Sequence, residues 1–400
     1  MSDSKVIHTV NSRSLIKNNF RNYSMFIMLA LIMILFGPLS NWRNFSGRNI
    51  TNIFFQYSYV LILAVGMVQC IIILGIDLSV GSVCAFIGAL SGFIYNTGVG
   101  MPITVLASLV MGLAVGAFQG WFIAYPKVPA FIVTLAGMML FRGLTYIVTN
   151  VNPVSFNDEG YSYIATGTVD ELLNLPPIVL GHFPAALVLA ALIIIIFWIA
   201  EFTGRKTKIA NGFEVIPQPL FIAKLALISL LVLVLGERFA VYRGLPVVVI
   251  VLGLTVGVFN FILKNTVLGR YIFAVGGNAR SAKLSGINSE MISFIVFCIM
   301  GLLTGLAAVV STAYMNSALP QAGNAFEMDA IAACYIGGVS ASGGIGSVVG
   351  VIVGGLVMSA INNGMSLMNL GNHYQYVVKA LILLLAVFYD VYTRRKSGLG

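Results

Sequence analysis

The sequence predicts an all-α polytopic membrane protein of about 10–12 transmembrane helices. Three observations carry that prediction: 59% of the 400 residues are hydrophobic, only 9% are charged, and mean hydropathy is +0.97. A soluble domain carries roughly a quarter of its residues as charged groups. This chain cannot cover itself with polar side chains, so much of its surface must face lipid.

The first 22 residues (MSDSKVIHTVNSRSLIKNNFRN) are polar and lack the apolar core and small-residue cleavage site of a secretory signal. They read as a cytoplasmic tail. A transmembrane domain over 23–392 follows, and 393–400 read as a second cytoplasmic tail. A bilayer-spanning helix needs about 20 mostly apolar residues. Segments near 23–40, 52–74, 78–96, 102–124, 128–149, 177–200, 220–236, 245–264, 291–314, 325–338, 343–363 and 375–392 approach or meet that length. The tenth is short enough to be a half-helix.

Basic residues concentrate on the cytoplasmic side of membrane proteins. With the N-terminus inside, that side holds Lys5, Arg13, Lys17, Arg21, Lys127, Arg205, Lys206, Lys208, Lys224, Lys264, Arg270, Arg280, Lys283, Arg394, Arg395 and Lys396. The opposite side holds Arg43, Arg48, Arg238 and Arg243, and its longest loop carries Asp158, Glu159, Asp170 and Glu171. Both termini are therefore expected in the cytoplasm. The net charge of +9 is a membrane-orientation signature and gives no reason to expect nucleic acid. The acidic loop at 150–176 is a candidate docking surface. Trp42, Trp121 and Trp198 fall near predicted span ends, where indole rings favour the headgroup interface.

Glycines recur at four-residue spacing in Gly112-Gly116-Gly120, Gly253-Gly257, Gly301-Gly305 and Gly346-Gly350-Gly354. Such rows let helix backbones approach closely in lipid. Packing within one bundle is the plain reading; the sharper one sets the 346–354 row against a second copy of the chain. Cys70, Cys84, Cys298 and Cys334 lie in apolar stretches without paired spacing and read as packing residues. His8, His182 and His373 are scattered, so neither a metal site nor a catalytic histidine is expected.

No G-x-x-x-x-G-K-[ST] phosphate loop, G-x-S-x-G, H-E-x-x-H or C-x-x-C motif occurs. The chain is not expected to be an enzyme, to hold a cofactor, or to hydrolyse ATP through such a loop. Charged groups inside a bilayer are costly and are functional candidates by default. Here they are Asp77, Arg142, Glu327, Asp329 and Lys379. Lys379 and Arg142 read as snorkelling toward the outer interface. An ion-driven carrier would show more acidic groups deep within its spans.

Two interruptions resemble each other: Leu74-Gly-Ile-Asp-Leu-Ser-Val-Gly-Ser82 and Gly337-Gly-Val-Ser-Ala-Ser-Gly-Gly-Ile-Gly-Ser347. Non-helical backbone at membrane depth is tolerated only against protein or water. The pair suggests two similar halves around a pathway; tight cytoplasmic turns are the plain alternative. Asp77, Ser79, Gly81, Ser340, Ser342 and Asn363 are the pathway or gate candidates. Asp77 also reads as a cap for the helix starting near Leu78.

The connection at 265–290 is long for a helical bundle. Asn278 can cap a short helix over 279–284, and Gly286 can close it in a left-handed conformation. A compact helix presented to the cytoplasm suits docking of a soluble partner.

Gly75-Ile-Asp-Leu-Ser-Val-Gly81, the run Lys127–Gly137 (KVPAFIVTLAG), and the run Gly269–Asn278 (GRYIFAVGGN) resemble the sugar permeases of bacterial ATP-binding-cassette importers. So do the runs Ala282–Ile287, Asp329–Cys334 and Tyr374–Lys379. The likeness is to the ribose/galactose/xylose class, extends from about residue 50 to 392, and looks greatest to the xylose-type branch. Many members of that class have about ten spans, so the topology through 200–245 departs from theirs. The resemblance implies a homodimer in the bacterial inner membrane, a cytoplasmic ATPase subunit, and a periplasmic or lipid-tethered sugar-binding protein. It also implies that the 265–290 loop holds a coupling helix that seats in the ATPase. Gly269, Arg270, Asn278, Arg280, Ala282, Lys283, Ser285 and Gly286 are the coupling candidates.

Overall fold

The computed structural model describes residues 12–156, 160–177 and 181–396. Fifteen helices follow in order: α1 Ser12–Leu39, α2 Gly47–Ile72, α3 Val80–Ile94, α4 Met101–Ala124, α5 Ala130–Thr149, α6 Tyr163–Thr166, α7 Val169–Leu172, α8 Pro184–Ala210, α9 Gln218–Val241, α10 Val247–Asn265, α11 Val267–Leu284, α12 Ser289–Met315, α13 Phe326–Ile336, α14 Val348–Leu367 and α15 Asn372–Lys396. One two-stranded antiparallel ribbon, β1 (Val154–Ser155) with β2 (Ser317–Ala318), pairs Val154 with Ala318 and Ser155 with Ser317. The protein is an all-α polytopic membrane protein.

Each of the twelve expected segments contains a helix. Among the described residues, nine helices are long and apolar enough to cross a membrane, and Met25–Leu39 and His373–Phe388 are shorter apolar stretches. The tenth expected segment is an eleven-residue helix, α13. The twelve segments are therefore not twelve full-length spans. α8 runs to Ala210, ten residues past its expected end at 200. Gly204–Ala210 is polar, but lysine, arginine and alanine are good helix formers, so the helix outlasts its apolar stretch. Trp198 consequently lies well inside α8, with its indole N–H donating to Ser229 Oγ at 2.9 Å.

The contacts divide the chain into two units. The smaller contains Phe45–Thr51 and Thr168–Pro246. Its body is the α8–α9 hairpin, where a side-chain carbon added at Gly236 would sit 2.8 Å from Ala190 Cβ. Lys224 pairs with Glu201 at 2.6 Å across it. Asp170, 1% exposed, ties the hairpin's ends together by accepting hydrogen bonds from Ala185 N and Leu245 N, both at 2.9 Å. Glu171 pairs with Arg243 at 2.8 Å. Asp170 is thus an internal structural group and offers no acidic docking surface. Asp158 and Glu159 lie outside the described residues.

The larger unit comprises Met25–Asn44, Asn52–Gly167 and Val247–Gly400. Its core is built on α2, where every residue from Leu61 to Ile72 is buried. Glycine rows bring other helices into backbone contact. A carbon added at Gly112 or Gly116 would lie 2.3 Å from Gly301 O or 2.4 Å from Phe297 O, joining α4 to α12. One added at Gly350 or Gly354 would lie 2.5 Å from Gly337 O or 2.2 Å from Ala333 O. Gly350 and Gly354 are therefore spent on α13 and its C-terminal turn within this chain, and Gly346 on Ile72 and Val68 of α2. Gly253 and Gly257 instead meet open space. All four cysteines are free.

Candidate functional site: two helix breaks and a capped surface helix

Helix α2 ends through Leu74, whose φ of +64° is unusual for a residue with a side chain. Gly75 N–H then reaches back to Cys70 O at 2.8 Å. The last carbonyls of a helix have no partner within it. That of Ile72 accepts the Gly344 N–H at 2.9 Å, which anchors the second break to the first. Gly276 of α11 presses on the same atom: a carbon added there would sit 2.0 Å from Ile72 O and 3.0 Å from Gly344 N. The two breaks and the segment leading to the 279–284 helix therefore meet in one backbone junction.

Inside the first break, Asp77 Oδ1 accepts the Ser79 N–H at 2.8 Å and the Ser79 hydroxyl at 2.7 Å. Asp77 is 4% exposed and Ser79 1%. Burial raises the Asp77 pKa above the ordinary aspartate value, and the Ser79 hydrogen bonds oppose that rise. α3 begins at Val80, with Ser79 in the cap position. Asp77 thus braces the turn before the helix, two residues earlier than a side-chain cap of the first helical amides. Gln119 Nε2 donates to Ser79 Oγ at 2.8 Å, and Thr134 Oγ1 donates to Ile76 O at 3.1 Å. Gly81 is pinned from the other side, since a carbon there would sit 2.0 Å from Gly323 O. In the second break Ser340 Oγ and Ser342 Oγ are 2.9 Å apart, and Ser340 N–H donates to Ile345 O at 3.0 Å. Asp77, Ser79 and Ser340 are buried in protein, whereas Ser342 in the second break is exposed. Asn363, 8% exposed, lies on α14 away from the junction.

α11 kinks at Asn278, whose φ of −161° and ψ of 99° are extended. Asn278 Oδ1 accepts Ser281 N–H at 2.9 Å, which is the side-chain cap of the 279–284 turn. Gly286, at φ +85°, closes it: Ile287 N–H reaches Ala282 O and Gly286 N–H reaches Lys283 O, each at 3.0 Å. Lys283 pairs with Glu290 at 2.7 Å and Ser289 Oγ donates to Ala279 O at 3.2 Å, which fixes the helix on α12. Arg280, Lys283, Ser285 and Gly286 are exposed, as is Arg270, whereas Ala282 is buried, and so is Gly269, which sits against the Ile262 and Leu263 carbonyls at the end of α10. Leu284, 84% exposed, is an apolar knob that sequence reasoning passed over.

The remaining charged groups also differ from the expectation. Lys379 does not snorkel: its ammonium pairs with Asp329 Oδ2 at 2.8 Å, with side-chain exposures of 18% and 8%. Arg142 donates to Pro320 O at 3.0 Å and Ala322 O at 2.7 Å, satisfying carbonyls of the irregular segment ahead of α13. Among the described residues no three His, Cys, Asp or Glu side chains converge as metal ligands.

Comparison with known proteins decides the family. A family model described as the permease component of branched-chain amino acid transport systems matches residues 49–387. The chain belongs to this permease family. The xylose transport system permease protein XylH of Escherichia coli K12 is 39% identical over 386 residues, covering 94% of each chain. XylH of Haemophilus influenzae Rd is 37% identical over 381 residues, 94% of this chain and 98% of the relative. The ribose import permease protein RbsC of E. coli K12 is 35% identical over 367 residues, 92% of each. No solved structure matches it. As a family member with nine spanning-length helices among the described residues, the chain is a multi-pass transport permease.

Proposed function

We propose that this chain is the membrane-spanning permease subunit of an ATP-binding-cassette importer for a monosaccharide, of the xylose type. Likeness to a xylose permease along 94% of both chains carries the reading. The capped 279–284 helix, with Arg280, Lys283 and Leu284 exposed, is the coupling element that docks on a separate cytoplasmic ATPase. ATP binding closes the ATPase dimer and moves that helix. Gly276 transmits the movement through Ile72 O to both breaks, because no side chain intervenes to absorb it. Asp77 and Ser79 brace the first break. An extracytoplasmic binding protein delivers the sugar. Two copies of the chain form the complex in the bacterial inner membrane, with both termini in the cytoplasm.

Reconstituted vesicles containing this chain, its ATPase and its binding protein test the reading with radiolabelled D-xylose. Uptake should require internal ATP and external binding protein and survive collapse of ion gradients. Uptake driven by an imposed proton or sodium gradient without ATP would make the chain a secondary carrier. ATP-driven uptake of another solute but not of D-xylose or D-ribose would replace the sugar.

A further inference from the structure

Two helices of the larger unit, α13 and α14, bury polar side chains that the protein leaves unpartnered. Asn362 on α14 is fully buried, and neither its amide oxygen nor its nitrogen has a hydrogen-bond partner. Asp329 on α13 is 6% exposed, with Oδ2 on Lys379 and Oδ1 unpartnered. Tyr57 on α2, half-buried, lies beside both. The Tyr59 and Phe326 rings flank the group, with centroids 4.6 Å apart.

Buried polar atoms are ordinarily paired, and an unpaired one costs stability. Two helices placing such atoms beside the phenol of a third form a pattern that a ligand would complete. The unmet capacity is two acceptors (Asp329 Oδ1, Asn362 Oδ1) and the amide donors of Asn362, with a phenol beside them. Hydroxyl groups both donate and accept, so neighbouring hydroxyls of one molecule can meet that mixed set. The ammonium of Lys379 neutralises Asp329, which disfavours a cation, and the carboxylate disfavours an anion. Aromatic rings at one side suit the C–H face of a sugar ring.

The geometry points to a monosaccharide subsite inside the permease, formed by Asn362, Asp329 and Tyr57 against the Tyr59–Phe326 rings. This inference rests on the sugar-importer reading and gives it a place within the chain. The pathway then runs past α2, α13 and α14 in addition to the two breaks.

The test is Asn362→Leu in the reconstituted assembly, with D-xylose as probe. Leucine keeps the branching of asparagine at Cγ and replaces its two unpaired polar atoms by methyl groups, so a subsite role predicts opposite effects on transport and stability. D-xylose uptake should fall at least about tenfold, the loss expected from one or two hydrogen bonds. The melting temperature of the purified chain should equal or exceed that of wild type, and the rise that millimolar D-xylose gives wild type should vanish. Uptake at the wild-type rate overturns the subsite. So does a fall in uptake accompanied by a lower melting temperature in a folded chain, because Asn362 is then structural. If Asn362→Leu fails to fold, Tyr57→Phe removes one hydroxyl only; several-fold slower uptake at unchanged melting temperature supports the subsite, and unchanged uptake overturns it. Wild type that moves no D-xylose or D-ribose at all removes the sugar reading itself and the subsite with it.

Discussion

Replacing Lys379 by methionine deletes the ammonium that neutralises Asp329 while keeping a side chain of similar length. The pair is close, 2.8 Å between Nζ and Oδ2, and largely shielded, with side-chain exposures of 18% and 8%. Asp329 Oδ1 has no other partner, so nothing nearby takes over the charge. Breaking a buried pair from one side typically costs about 3–5 kcal/mol, because an uncompensated charge stays behind. Removing both charges with Lys379→Met and Asp329→Asn should cost far less, and similar-volume replacement of a buried pair is often neutral. The assay is a double-mutant cycle on the purified chain, following denaturant unfolding by tryptophan fluorescence. A coupling energy of about 2 kcal/mol or more supports the pair, against 0–1 kcal/mol for an exposed one. If Lys379→Met lies within about 0.5 kcal/mol of wild type, as substitutions away from such features do, the ammonium is at the interface and this reasoning is wrong.

Gly276→Val should disrupt the junction, since its first carbon would stand 2.0 Å from Ile72 O and backbone cannot step aside. Overpacking of this kind costs about 1–3 kcal/mol. A measurable loss of melting temperature together with lost uptake is expected, and wild-type uptake would separate α11 from the breaks. Asp77→Ala removes the acceptor of both Ser79 hydrogen bonds. It should destabilise the chain by about 1.5–3 kcal/mol, the range for bonds to a charged group. Asp77→Asn, which keeps one oxygen, should recover part of that loss in the same unfolding measurement.

Local signals were legible in the sequence. Twelve apolar segments placed the helices, and shortness alone marked α13 as a half-helix. Asn278 and Gly286 announced their turn because a side-chain cap and a left-handed closure need one residue type at one position. The first part of α11 was readable but missed: Leu268, Ile272 and Val275 recur at helical spacing, and Thr266 caps it through Gly269 N. Other features depend on distant residues that no local pattern joins. Lys379 and Asp329 are fifty positions apart, and Ser79 and Gln119 forty. A lysine one turn from a span end looks the same whether it snorkels or pairs. The Ile72–Gly276–Gly344 junction is carried by backbone atoms, which leave no trace beyond glycine itself. Asn362 sits next to Asn363 in the sequence, and only the helix rotation shows which of them is wholly buried.

Energy supplied by a separate ATPase is the central claim, and Gly286→Trp tests it most directly. A carbon added at Gly286 meets nothing within 4 Å, so the indole projects outward and does not crowd this chain. The left-handed backbone, at φ +85°, adds about 1–2 kcal/mol of strain. Wild type and variant would each be co-purified with the ATPase encoded beside this chain, and hydrolysis measured in lipid with the sugar-loaded binding protein. The account predicts that wild type binds the ATPase and supports stimulated hydrolysis, while Gly286→Trp folds but does neither. If no ATPase associates with wild type and uptake follows an ion gradient, the account is contradicted.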